Sequence, residues 1–272
     1  MMAVADLSGF EEEPMLRVRP VHFTSRPDSW EHLLAALGVV KTVDEGPWRE
    51  FDAGSGRLAL HVADAGATDD GASALGVEVG DLAEFARRTT LAAEESGNTV
   101  TELIAADHGE SCRITARDGF SFLADKGARE PNSADADPAL TVVGVWFTED
   151  PGAAAVTLQD IGARFRPVPD ADETADFTAK NGGVLMVRPA AGPPRSGLGF
   201  EYGGDLGALR DRLTAAGLDV SETEEAFGRT LHVANPDAAS GAASPRKTPQ
   251  HRMSRQPSGS RSVSPRRDPL LR

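Results

Sequence analysis

Along this chain, apolar residues gather into short strand-like runs separated by a few helical stretches, and the order of those runs repeats. An apolar run at about 15–24 predicts a strand, and a helix is predicted over about 28–37. In that helix Trp30, Leu33, Leu34 and Leu37 fall at i, i+3, i+4 and i+7 on one face. Three short strands follow at about 39–44, 48–53 and 57–63, separated by Asp-Glu-Gly-Pro and Ala-Gly-Ser-Gly turns. The β-α-β-β-β order then recurs. A strand at 74–79 enters a helix at 81–95 with Leu82, Phe85 and Ala86 on one side, and strands near 99–105, 111–116 and 119–124 complete the unit.

The chain then says the whole of this a second time. Val21-His22-Phe23-Thr24, leading to Pro27, returns as Val145-Trp146-Phe147-Thr148, leading to Pro151; each Pro falls at or near a helix start, where a missing amide costs little. Gly56-Arg-Leu-Ala-Leu-His61 matches Gly183-Val-Leu-Met-Val-Arg188, and Leu75-Gly-Val-Glu78 matches Leu198-Gly-Phe-Glu201. The segment from Gly109 to Asp118 matches the one from Gly228 to Asp237. A period near 120 residues, present twice, implies tandem domains rather than a solenoid.

These matches divide the chain into a loose leader (1–14), domain one (15–126), a Pro/Asn/Ser/Asp-rich linker (127–138), domain two (139–237) and a tail (238–272). In domain two a strand from Leu140 and a helix at about 151–162 are followed by three strands. A strand at 197–202, a helix with Leu206, Leu209 and Leu213, and strands near 219–223 and 229–234 come next. Domain one closes on Phe120-Ser-Phe-Leu-Ala, a clear strand, whereas Asp237 is followed by Ala-Ala-Ser-Gly-Ala-Ala-Ser-Pro-Arg-Lys, which has no strand character. Domain two is therefore expected to lack its closing strand. The open edge that this leaves would invite pairing with another chain, and so leaves room for a homodimer. The Ser/Pro/Arg-rich tail is expected to be disordered.

Charge sharpens the division. The chain carries −14 overall, but the tail carries +7, which leaves −21 on the body. An acidic body argues against nucleic acid as its ligand. No apolar run is long enough to span a membrane, and the start shows no signal-peptide pattern. The single cysteine, Cys112, excludes an intramolecular disulfide and reads as a buried filler; a cytoplasmic location is expected.

Paired βαβββ units, a His in the opening strand (His22) and the strand-to-helix entry Gly76-Val-Glu78-Val-Gly-Asp-Leu82 resemble the vicinal oxygen chelate (VOC) superfamily. That superfamily includes glyoxalase I, extradiol dioxygenases and bleomycin-resistance proteins. The likeness covers about 15–237. It implies an α+β fold: two tandem domains, each of paired βαβββ units forming a half-open barrel, or cup. It also implies up to four metal-ligand positions facing each cup. In domain one these fall on His22, His61, Ala74 and near Leu123; in domain two they fall on Trp146, Arg188 and Gly197.

Domain one thus offers two imidazoles, and strand alternation adds Glu78 on the face of Ala74, giving a candidate metal set of His22, His61 and Glu78. Glu201 holds the matching place in domain two, where it could pair with Arg188. Among the remaining histidines, His32 and His108 read as surface residues and His232 as half-exposed. Gly197-Leu-Gly199 lacks the third glycine of a dinucleotide fingerprint.

Two readings follow, and a third. In the first, the protein binds a small organic molecule in the domain one cup, with His22 and His61 as its polar groups and Trp146 filling the cup of domain two. In the second it is a lyase, isomerase or dioxygenase in which a divalent Zn, Ni, Mn or Fe ion, held by His22, His61 and Glu78, polarises vicinal oxygens. In the third it is an interaction protein acting through its basic tail.

Overall fold

The computed structural model describes residues 15–106, 108–127, 133–168, 174–225, 228–237, 242–243 and 245–247. Four βαβββ units follow one another. The opening strand of the chain is split by Pro20, which has no amide to give a ladder, into β1 (Leu16–Val18) and β2 (Val21–Thr24). Unit one continues with α1 (Pro27–Leu37), β3 (Val40–Glu45), β4 (Trp48–Asp52) and β5 (Arg57–Val62). Unit two opens on another split strand, β6 (Ser73–Ala74) and β7 (Gly76–Val79), then α2 (Leu82–Ser96), β8 (Thr99–Ala106), β9 (Gly109–Ala116) and β10 (Ser121–Lys126).

In domain two, unit three is β11 (Leu140–Thr148), α3 (Pro151–Asp160), β12 (Arg164–Arg166), β13 (Ala175–Thr178) and β14 (Val184–Pro189). Unit four is β15 (Arg195–Tyr202), α4 (Leu206–Ala215), β16 (Val220–Glu225), β17 (Gly228–Ala234), β18 (Ala242–Ala243) and β19 (Pro245–Lys247). The helix starts are set locally. Asp81, Asp150 and Asp205 each accept an amide of the first turn, and Pro27 and Pro151 occupy positions without an intrahelical donor role.

All four units share one topology. The opening strand runs parallel to the last strand of its own unit: β2 beside β5, β7 beside β10, β11 beside β14 and β15 beside β19. Parallel neighbours need a long crossover, which each helix supplies. Opening strands then pair antiparallel to join units into domains: β1 with β7 and β2 with β6 in domain one, β11 with β15 in domain two.

The expectation that domain two lacks its closing strand is corrected here. Pro245–Lys247 pairs in parallel with β15, as Phe200↔Pro245 through Tyr202↔Lys247, and antiparallel with β17 at Thr230↔Arg246. This is the place that β10 holds between β7 and β9. Ladder pairing uses backbone groups that every non-proline residue carries, so a segment of Ala, Ser, Pro and Arg can fill a sheet position that its side chains do not advertise. With that position filled, the argument for a homodimer through an open edge loses its ground. Residues 1–14 and 248–272, the leader and the rest of the tail, lie outside the described residues, as do 238–241 and 244. Among the described residues no helix is long and apolar enough to cross a membrane.

The core lies between the domains, not inside each cup. One cluster joins Val18, Val77, Ile114 and Phe122 of domain one to Trp146, Leu158 and Phe177 of domain two. The other joins Trp30, Leu33 and Leu60 to Leu140, Phe200, Leu209 and Leu231. Accordingly α1 packs on α4, and α2 on α3. The turn before β14 seals the join: Val18 N–H donates to Gly182 O at 2.9 Å, and Gly183 has φ +88° in such close approach that a Cβ there would meet Val18 at 2.4 Å. Cys112 is buried in this core as expected, and burial pushes its thiol up to about 11.

Strand alternation fixes what faces the cups. Leu16, Val18, His22 and Thr24 point into the interdomain core, so Arg17, Arg19, Val21 and Phe23 face the cup of domain one. In β11, Leu140, Val142, Trp146 and Thr148 point to the core, and Val143, Val145 and Phe147 to the cup of domain two.

Candidate functional site

The cup of domain one is filled with charge. Arg17 stands directly across from Glu78 in the β1–β7 ladder and its Nη1 bonds Glu78 Oε2 at 3.2 Å. Arg19 reaches Glu50 at 2.6 Å and also binds Asp125, with its Nε 3.6 Å from Glu78. Arg57 bonds Asp52 at 2.6 Å and lies 3.6 Å from Glu78. Arg17, Arg19, Asp52 and Glu78 are all buried. Ions taken from water survive only when paired and hydrogen-bonded, and here each carboxylate has a guanidinium. Burial still pushes the Glu78 carboxyl above its ordinary range, against the opposing pull of Arg19, Arg57 and Arg17.

The candidate metal set is not assembled. In the parallel β2–β5 ladder His22 lies opposite Leu60, while His61 lies opposite Phe23. One imidazole therefore faces the core and the other the cup. The His61 ring sits 5.5 Å from Phe23 and 6.1 Å from Trp48, near the surface. The His22 ring sits 4.2 Å from Trp30 of α1, with Nδ1 2.8 Å from Ser73 Oγ and Nε2 2.6 Å from Asp237 Oδ2. Glu78 does face the cup, but its oxygens are committed to arginines. Among the described residues no group of three His, Cys, Asp or Glu side chains is disposed to hold an ion.

The cup of domain two has the same frame and different contents. Glu201 and Asp176 stand where Glu78 and Glu50 stand in domain one. Their guanidinium comes from the sheet edge: Arg166 binds both Glu201 oxygens at 2.8 and 2.7 Å and Asp176 at 2.8 Å. Burial works against the Arg166 charge, but the bonds to Glu201 and Asp176 outweigh it and raise its pKa. Arg188 pairs with Asp176 at 2.6 Å rather than with Glu201, and its Nη2 lies 3.0 Å from the Met186 sulfur.

The opening strand places Val143 where domain one has Arg19, and the space left over is a cavity of about 190 Å³. Val143, Val145, Phe147 and Met186 wall it, Gly197 and Gly199 leave it open, and Arg188 and Glu201 give it polar ends. Trp146, expected to fill this cup, turns the other way. It is fully buried in the interdomain core, 4.6 Å from the Phe120 ring, and its indole N–H finds no acceptor among the described residues.

Several of these residues escaped sequence reasoning. Asp237 meets His22 across 215 positions of chain, and nothing local announces such a contact. The Arg17-x-Arg19 pair in an otherwise apolar strand was a readable sign of a charged cup. So was the alternation from Leu16 and Val18, which puts His22 on the core face.

Four units paired into two cups, with the helices packed between the domains, define a tandem βαβββ-cup protein. The chain is similar in structure to the 2,3-dioxygenase LapB from Pseudomonas sp. KL28, with 13% identity, 91% of this chain and 94% of that chain covered, and a TM-score of 0.58. It is also similar to the Mn(II)-bound glyoxalase from Novosphingobium aromaticivorans, with 13% identity, coverage of 86% and 81%, and a TM-score of 0.55. A third neighbour is a variant of homoprotocatechuate 2,3-dioxygenase from B. fuscum in complex with HPCA, with 15% identity, coverage of 86% and 70%, and a TM-score of 0.55. The chain has the fold of the vicinal oxygen chelate superfamily, to which these proteins belong. No family model matches the sequence, and no curated protein matches it.

A divalent ion such as the Mn(II) of that glyoxalase does not fit the side chains present. In domain one the cup-facing acids are bound to arginines, with His61 packed on Phe23 and Trp48 and His108 on Asp125 at 3.1 Å, and in domain two Val143, Val145, Gly197 and Gly199 offer no side-chain donor.

Proposed function

We propose that the protein binds a small organic molecule in the cup of domain two, not in that of domain one. The observation that supports this is the cavity of about 190 Å³, part apolar and part polar, where Val143 replaces the arginine that fills the first cup. Its volume is below that of drug-sized sites, so the ligand is small. Arg188 lines the cavity, and its Nη2 faces a thioether, a weak acceptor. A carboxylate or carbonyl oxygen is a better partner, and branched or aromatic carbons suit the walls of valine, phenylalanine and methionine. The predicted ligand class is therefore a small carboxylic acid with a compact apolar body, such as isobutyrate or benzoate.

Isothermal titration with those two acids tests the reading. Arg188→Gln should weaken binding by roughly 10- to 100-fold, the value of a hydrogen bond to a charged group. Val143→Arg should abolish it while leaving the far-UV spectrum unchanged. Binding that survives Val143→Arg would place the ligand elsewhere.

A further inference from the structure

A second cavity, of about 560 Å³, opens between the domains and is lined by His22, Trp30, Ser73, Phe120, Arg195 and Asn235. Within it we propose that Ser73, His22 and Asp237 form a nucleophile, base and orienting acid able to cleave a small carboxylic ester. Ser73 and His22 are direct partners across the antiparallel β2–β6 ladder, which holds Oγ 2.8 Å from Nδ1. Asp237 arrives from domain two, with Oδ2 2.6 Å from His22 Nε2. Ser73 is half-buried and borders the cavity, while His22 is buried behind it.

Hydrogen-bond accounting sets the tautomer. An ionised carboxylate only accepts, and Asp237 accepts from Thr24 Oγ1 at 2.5 Å and from Trp30 Nε1 at 2.5 Å as well as facing His22. Neutral His22 must then carry its proton on Nε2 and turn the Nδ1 lone pair toward the Ser73 hydroxyl. That is the arrangement a general base needs, with the base itself oriented by a third group.

The duplication supplies an internal control. Thr148 Oγ1 donates to Asp118 at 2.8 Å in the matching place, so the Thr–Asp bridge between domains exists twice. Ser196 matches Ser73 as well. Two places differ: Ala154 stands where Trp30 donates to Asp237, and Trp146 fills the imidazole's slot with carbon and an N–H that has no acceptor among the described residues. The Thr–Asp bridge between the domains therefore does not require a histidine.

The reaction balances as acyl transfer. Ser73 Oγ attacks the ester carbonyl carbon as its proton passes to His22 Nδ1, and the carbonyl electron pair moves onto oxygen. Collapse of the adduct breaks the ester C–O bond, and the departing alkoxide takes the proton from Nδ1. Water repeats the sequence on the acyl-serine, releasing the acid and restoring Ser73. Asp237 stays ionised throughout and holds Nε2–H.

The full-length protein is treated with a biotinylated fluorophosphonate and digested, and the modified serine is found by mass spectrometry. The expected result is an adduct at Ser73 that is lost in Ser73→Ala. It should form at least about 100-fold more slowly in His22→Trp, the residue domain two uses at this position, and likewise in Asp237→Asn. Circular dichroism confirms that each variant is folded. Absence of an adduct at Ser73 in the folded wild type, labelling spread over several serines, or labelling undiminished in folded His22→Trp would each overturn the proposal and leave the cluster as a bridge between domains.

Discussion

The two cups of this molecule were built on one plan and have gone opposite ways. Both keep a pair of inward carboxylates, Glu50 and Glu78 in the first and Asp176 and Glu201 in the second. Both satisfy them with a guanidinium. In domain one it comes from the opening strand, as Arg19, and so occupies the middle of the cup. In domain two it comes from β12 at the sheet edge, as Arg166, which leaves the opening strand free to carry Val143 beside a cavity. The lesson is that a neutralising charge can be supplied from more than one strand, and the choice of strand decides whether a cup is closed or hollow.

The largest expected effect comes from breaking the first cup. Arg19→Val removes the guanidinium shared by Glu50, Asp125 and Glu78, and should cost about 3–5 kcal/mol in urea unfolding, the range for stripping one partner from a buried pair. Arg166→Ala should cost less, because Arg188 still holds Asp176. Equal losses in the two variants would mean the cups are not differently built.

Next in size is the core position at which the copies diverge. Trp146→Ala should cost about 3–5 kcal/mol through the cavity it leaves, whereas Trp146→Phe should cost under about 1.5 kcal/mol, since it also removes a buried N–H with no acceptor among the described residues. A Trp146→Ala variant as stable as wild type would show that the indole is not core.

A smaller, pH-dependent difference separates His22 from Glu78. Burial lowers the pKa of His22 below 6.5, against the pull of Asp237, so as pH falls through 6.5 the unfolded chain takes up a proton that the folded site refuses. Stability is then lost on acidification, and His22→Gln should flatten that loss. For Glu78 the sign is reversed. Its folded value lies above 4.5, so stability falls as pH rises from 4.5 toward that raised value, and Glu78→Gln should remove this part. Thermal scans of both variants between pH 4.5 and 7 check the signs, and slopes that change in the same direction would contradict them.

Much of the fold was legible in the sequence because the signals were local and duplicated. The βαβββ order, the four helices and the repeat of Gly56–His61 at Gly183–Arg188 all rest on spacing within a few residues. The side-chain faces were less legible. His22 and His61 each fall on strands of the expected unit, yet register puts Phe23, not His22, beside His61. A one-residue difference in parity moves a side chain to the other side of a sheet, and the alternation of Leu16, Val18, His22 and Thr24, which continues past Pro20, was the sign that His22 faces the core. The closing strand at Pro245–Lys247 was hidden because backbone pairing, not side-chain composition, places it. The contact of Asp237 with His22 depends on how two domains dock, which no single strand or helix encodes.

The difference between the cups is read most directly by labelling the methionine methyl groups with carbon-13 and the tryptophan indoles with nitrogen-15, and titrating isobutyrate by NMR. Met186 lines the hollow cup, while Met15 lies in the join between domains. Saturable movement of the Met186 methyl signal, with Met15 and the Trp48 indole of the filled cup unmoved, is the predicted result. A Met186 signal that stays in place while Trp48 responds would show that the first cup is the open one.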